Sequence, residues 1–207
     1  MKTVLAPHLG TQGIFLNAHR ITTGRSKLTV FCGGISGLSQ LRTDLQRWMK
    51  QEHKPEDWFT SMIDFYALPN DFPGYGDCIG RADAVKRVEC LEERILRDLP
   101  HPRFIPYIQL HEFEALLFAE PRKFEVAFPG ESKVASQLEH IRNAFPTPED
   151  IDDRPELAPS KRILSLLPGY RKTVAGPLII QHIGLARLRE ECPHFNQWID
   201  RIEKAAR

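Results

Sequence analysis

Three ionisable residues, His111, Glu112 and Glu114, interrupt an otherwise apolar stretch that runs from Arg103 to Phe118, RFIPYIQLHEFEALLF. Carboxylates in such a place have two uses. At the start of a helix they complement its dipole. At the carboxyl end of a strand, where an open α/β sheet has its crevice, they face a ligand or a metal ion without being buried unpaired. Spacing alone favours the helix-start role for this pair. A third carboxylate, Asp64, stands in the apolar run Trp58 to Tyr66, WFTSMIDFY. It must be solvated at the strand end, hydrogen-bonded or bound to a metal, because an isolated buried charge is too costly. Asp71, in LPNDFPG, reads first as a turn residue. Lys161, Arg162, Arg171 and Lys172 gather around an expected helix start and the turn after it. That grouping suits a phosphate as well as it suits a solvated surface. His111 suits a hydrogen bond to a ligand residue better than proton transfer.

The elements that must position these groups follow from hydrophobic period. Trp58–Tyr66 and Phe104–Leu110, rich in β-branched and aromatic residues, are expected strands. Between them Val85, Val88, Leu91, Ile95 and Leu99 recur at helical spacing over 82–99. Strand, helix and strand in this order predict a parallel βαβ unit. Asp64 and Glu112 are then expected at one edge of the sheet, on strands roughly 4.8 Å apart, close enough to share a divalent ion. Ile14–Ile21 and Leu28–Cys32 are further expected strands around a turn at 23–26, and Gly33-Gly34 precedes an expected helix over 36–51 with Leu38, Leu41, Leu45, Trp48 and Met49 on its apolar stripe.

Helices dominate the rest. Lys2–Leu9 reads as the tail of a helix in which Pro7 limits the length. Pro121 suits a first helical position, and Val134, Leu138 and Ile141 mark a short helix. The acidic passage 146–159 is expected to be solvated, and Ser160 to cap a helix over 161–167. Ile179, Ile180, Ile183 and Ala186 define one later helix and Phe195, Trp198, Ile199 and Ile202 the last, with His194 as a structural hydrogen-bonding residue.

Composition sets the outer bounds. At 207 residues, 42% hydrophobic and 27% charged, the chain is expected to form a single domain with a genuine core. A net charge of +1 neither demands nor excludes a nucleic-acid partner, since a local patch decides that. No apolar run is long enough to span a bilayer, so a cytoplasmic protein without a membrane partner is expected. Cys32, Cys78, Cys90 and Cys192 lack Cys-x-x-Cys spacing, and reduced, mostly buried thiols are expected.

The strings MIDFYALPNDFPG, RFIPYIQLHEFEALLF, APSKRI and CPHFNQWI, in this order, resemble the bacterial Toprim-like family known as domain of unknown function 4276. The resemblance implies an α/β fold, a Toprim-like and mostly parallel sheet flanked by helices over about 1–120, with a helical C-terminal part over about 121–207. It implies Asp64, Glu112 and Glu114 as ligands of Mg²⁺ or Mn²⁺ and as catalytic residues, with Lys161, Arg162 and Lys172 on nucleic-acid phosphate. The implied activity is metal-dependent phosphodiester cleavage of DNA or RNA, in anti-phage defence or DNA repair with an ATPase partner. The alternative is a catalytically inactive module that binds nucleic acid or regulates a partner. Members of the family usually begin with a strand ending in Val-Glu-Gly-x-Thr-Glu. This sequence opens instead on Lys2–Leu9, the expected continuation of the helix after that strand, so an N-terminally incomplete domain is expected.

Overall fold

A computed structural model describes residues 1–19, 24–25, 30–31, 38–51, 54–72, 74–151 and 155–205. In chain order its helices and strands are α1 (Lys2–Thr11), β1 (Gly24–Arg25), β2 (Val30–Phe31), α2 (Leu38–Lys50), β3 (Phe59–Thr60), β4 (Ile63–Asp64), α3 (Tyr75–Ile79), α4 (Ala84–Asp98), β5 (Phe104–Ile105), β6 (Ile108–Gln109), α5 (Phe124–Ala127), α6 (Ser132–Asn143), α7 (Pro159–Leu166), α8 (Ala175–Glu191) and α9 (Pro193–Ala205), with 3-10 turns among them. This is an α/β fold with a helical C-terminal part. The chain divides into two compact units, one of Met1–Leu16 with Leu110–Lys204, the other of Asn17–Gln109 with the last three residues.

The second of these units holds the strands. β3 pairs with β5 and β4 with β6, both parallel, with Phe59 opposite Phe104 and Asp64 opposite Gln109. This is the expected βαβ unit, with α4 as its crossover. Each expected strand is nevertheless split in two, and the cause lies at Pro106, which has no N–H to give the ladder. There the Ser61 side chain substitutes for backbone, its Oγ accepting from Tyr107 N at 3.1 Å. The ladder then resumes with Ile63 N donating to Tyr107 O at 3.2 Å.

α4 starts at Asp83, whose side chain accepts from Lys86 N at 3.1 Å, and it buries Val88, Leu91 and Ile95. Glu92 is buried on the same face, where its Oε1 accepts from Ile108 N at 2.8 Å and ties helix to strand. Cys78 of α3 and Cys90 of α4 form a disulfide, which corrects the expectation of reduced thiols for this pair; Cys192 is a buried free thiol, as expected. The expectation had only spacing to go on, and a pairing between neighbouring helices has no spacing signature. β1 and β2 pair antiparallel, so Gly24 and Arg25, expected in a turn, are strand residues. Residues 14–19 adopt neither helix nor strand; Ile21, Cys32 and the Gly33-Gly34 pair lie outside the described residues.

The other unit is helical. α1 accommodates Pro7 in its middle and buries Val4, Leu5 and Leu9. The segment Phe113–Ala119 is a 3-10 helix with Ala115 to Ala119 buried, and Pro121 opens the next 3-10 turn at N1, as expected. α8 and α6 pack against it, and Leu138, Ile179, Ile180, Ile183, Phe195 and Ile199 are buried in this unit. α8 is broken at Gly184, whose φ of 78° lies in the left-handed region that glycine tolerates. The break shifts the helical register, so Leu188 is buried and Ala186, expected inward, is exposed. Among the described residues no helix is long and apolar enough to cross a membrane.

Candidate functional site

Leu110 is followed by His111, whose φ of 60° makes it the non-glycine residue with left-handed backbone among those described. Such a conformation costs on the order of 1–3 kcal/mol, and it persists only where the surroundings over-determine it. Here His111 is buried, and the turn it makes delivers Glu112 in an extended conformation (φ −155°) at the head of the 3-10 helix that contains Glu114. Neither carboxylate caps that helix, which has no side-chain cap hydrogen bond. Both reach instead to the segment 160–172.

Glu112 Oε1 accepts from the backbone N of Ser160 at 2.6 Å, and Glu112 Oε2 from Lys172 Nζ at 2.7 Å. Glu114 Oε2 accepts from the same ammonium at 3.1 Å, and Glu114 Oε1 from the Tyr170 hydroxyl at 3.3 Å. Every carboxylate oxygen of the pair therefore has a donor. Ser160, expected to cap α7, lies inside the helix, and the carboxylate that accepts from its first turn comes from Glu112, 48 residues away. A glycine makes room for Tyr170: a Cβ at Gly176 would stand 3.1 Å from the Tyr170 oxygen and 3.3 Å from the Phe113 ring.

Burial and charge act against each other here. Burial pushes the Glu114 carboxyl up, Lys172 pulls it down, Glu112 pushes it up again, and the net shift is upward. Burial alone would lower Lys172; the two carboxylates outweigh it and raise the lysine. Burial, with Glu114 beside it, drives the Tyr170 hydroxyl far above its ordinary range, so it stays a donor. Two carboxylates share one ammonium, which leaves the group one negative charge in excess. The Glu114 side chain is 3% exposed, whereas that of Lys172 is 49% exposed. The acids are buried and the base is half exposed.

Other residues singled out in the sequence are placed by their own elements. Lys161 is exposed on α7. Arg162 donates to Leu157 O at 2.6 Å and lies 5.3 Å over the Phe145 ring. Arg171 is exposed. Asp64 closes β4 in the other unit, and Asp71 lies exposed in the following turn. Tyr170, Gly176 and the Ser160 amide were not foreseen; the tripeptide Tyr-Arg-Lys at 170–172 offered only its lysine and arginine as a signal.

The acidic passage 146–159 holds a correction. Glu149 is buried rather than solvated, and its carboxylate accepts from His194 N at 2.8 Å and Phe195 N at 3.0 Å, the first turn of α9. Asp150 accepts from Thr147 N at 2.9 Å. Asp152 and Asp153 lie outside the described residues.

Among the described residues no three His, Cys, Asp or Glu side chains cluster as a metal-holding group. The donor chemistry of Glu112 and Glu114 nonetheless fits a hard divalent ion: Oε2 of each converges on one positive charge, and Mg²⁺ is commonly held by only one or two carboxylates, completed by water and substrate phosphate. In this structure the charge is that of Lys172 Nζ. No curated protein and no solved structure matches the chain. A family model does, over residues 1–203, and the chain belongs to the family it describes, Domain of unknown function (DUF4276).

Proposed function

We propose that this chain is a Toprim-like, divalent-metal-dependent phosphodiesterase that acts on nucleic acid. The observation that carries the reading is the convergence of Glu112 Oε2 and Glu114 Oε2 on one cation, 2.7 and 3.1 Å away. Glu112 and Glu114 would hold Mg²⁺ or Mn²⁺, which when bound supplies positive charge at a phosphoryl oxygen and lowers the pKa of its water. The chain's own groups prepare the ligands. The Ser160 amide and the Tyr170 hydroxyl each fix one outer oxygen, which leaves the two inner oxygens facing the cation. Lys161, Arg162 and Lys172 are assigned to the phosphate backbone, and Asp64 to the metal. An ATPase partner, a role in anti-phage defence or DNA repair, and a cytoplasmic location belong to the same reading.

A second reading, a catalytically inactive module that binds nucleic acid or regulates a partner, is favoured by one observation: all the carboxylate oxygens already have hydrogen-bond donors without a metal. The test is cleavage of labelled single- and double-stranded DNA and RNA with Mg²⁺, Mn²⁺ or EDTA. Metal-dependent cleavage that Glu114→Gln and Asp64→Ala each abolish, in variants that melt as cooperatively as the wild type, supports the enzyme. Nucleic-acid binding without cleavage under any metal supports the module.

A further inference from the structure

We propose that Lys172 is a built-in competitor for the metal: its ammonium holds the carboxylate oxygens that the ion needs, and the Glu112–Glu114 pair holds one of the two cations at a time. This inference rests on the metal-binding reading above and adds what regulates that site. The geometry that points to it is the sharing of one donor. Glu112 Oε2 and Glu114 Oε2 both accept from Lys172 Nζ, while the remaining oxygens are held by a backbone amide and a phenol. The amide is held in place by the first turn of α7. The phenol is buried beside Gly176. Lysine alone is on a flexible four-carbon stem, and its side chain is half exposed.

Electrostatics makes the two occupancies exclusive. An ammonium about 3 Å from each inner oxygen leaves no room for an ion coordinated by those oxygens at roughly 2.0–2.1 Å without placing two cations in contact. A metal must therefore expel the ammonium into solvent, and its apparent affinity is reduced by the fraction of molecules in which the lysine is seated. The expelled ammonium is then a free cation at the rim of the site, available to a phosphodiester.

Two measurements test this. The first is calorimetric titration of Mn²⁺ into the wild type, Lys172→Met, Lys172→Gln and Lys172→Arg, with circular dichroism confirming the fold. The neutral variants should bind Mn²⁺ about tenfold more tightly or better, and the arginine variant should stay within about threefold of the wild type. Glutamine keeps an N–H donor for the carboxylates where methionine does not. The second uses only the wild type, so no variant has to fold. Acetylation of lysines by an N-hydroxysuccinimide ester, read by mass spectrometry of the peptide that contains Lys172, should increase at that residue when Mn²⁺ is added. Equal or weaker Mn²⁺ affinity in the neutral variants, or labelling of Lys172 that bound Mn²⁺ leaves unchanged, overturns the competitor and spares the metal site. No Mn²⁺ binding to any of the four proteins overturns the metal reading itself, and this inference with it.

Discussion

Two clusters in the helical unit bury glutamates, one held by backbone amides alone and the other by a backbone amide, a phenol and a shared ammonium. Glu149 accepts from two backbone amides at the start of α9, His194 N and Phe195 N. Glu112 and Glu114 share a side-chain ammonium whose own exposure is about half. A backbone amide in the first turn of a helix is held in place by the helix and has no intrahelical acceptor of its own. An ammonium on a flexible stem is a partner that can be exchanged. Glu149 thus works as a fastener between the 148–150 turn and α9, while the Glu112–Glu114 pair keeps its charge at the disposal of another cation. Burial of a carboxylate is common to both and distinguishes nothing; the exposed, long-stemmed donor at Glu112 and Glu114 does.

If that comparison holds, removing Glu149 costs more stability than removing Lys172. Glu149→Ala orphans two buried amides at about 1–3 kcal/mol each, and a drop of roughly 3 kcal/mol in urea unfolding is expected. Lys172→Met leaves a charged carboxylate pair. Breaking a fully buried pair costs about 3–5 kcal/mol, but the half-exposed lysine and water access to its site reduce this to about 1–2 kcal/mol. A larger loss for Lys172→Met than for Glu149→Ala would reverse the assignment and make the acidic pair the fastener. Added Mn²⁺ should stabilise Lys172→Met more than Glu149→Ala, whose metal site still carries the competing lysine.

What the sequence made legible divides along the same line. The parallel pairing of β3 with β5 and β4 with β6, the crossover α4 and the amphipathic faces of α6 and α9 were all readable, because period and order are local properties. Glu112 and Glu114 were legible as unusual, since they end an apolar run. Their partners were not. Ser160 and Lys172 stand 48 and 60 residues beyond Glu112, and nothing in the chain marks an amide that will meet a particular carboxylate. Glu149 was misread for a related reason: an acidic passage resembles solvated loop until the helix start that needs its carboxylate is in place, 45 residues later. Pro106 was in plain view, yet its effect on the ladder depended on Ser61 being opposite. The Cys78–Cys90 disulfide likewise needed two helices side by side.

The pH dependence offers a finer test, because Glu149 and Glu203 respond with opposite signs. Burial holds the Glu149 carboxyl above its ordinary value of 4.5, against the pull of the His194 and Phe195 amides. A group whose folded value is raised binds its proton more readily in the folded state, so its contribution improves as pH falls from the raised value to about 4.5. Glu203 is the reverse case: burial would raise it, but Arg189, at 2.6 Å, and His8 outweigh burial and lower it. Its contribution is present above the ordinary value of 4.5 and is lost as pH falls through the lowered one. Urea unfolding between pH 7 and 3 should therefore lose its acid-side gain in Glu149→Gln and part of its acid-side loss in Glu203→Gln. Slopes that move in the same direction in both variants would contradict the assignment of Glu149 as a desolvated carboxylate.

The smallest effect, and the most specific to the exchangeable cluster, is expected from Gly176→Ala. The added methyl would meet the Tyr170 oxygen at 3.1 Å and the Phe113 ring at 3.3 Å, closer than ordinary contact, so one of them must give way by a few tenths of an ångström. The Tyr170 hydrogen bond to Glu114 is already long, at 3.3 Å, and is the weaker restraint. The cost in stability should stay near 1 kcal/mol, as for mild overpacking. Glu114 then loses the donor that positions its outer oxygen, so its inner oxygen is held less well toward the ion and Mn²⁺ should bind several-fold more weakly than to the wild type. Tyr170→Phe removes the same donor without crowding. Matching losses of Mn²⁺ affinity in both variants would identify the phenol as the group that positions Glu114, whereas a loss in Gly176→Ala alone would trace the effect to the displaced Phe113 ring.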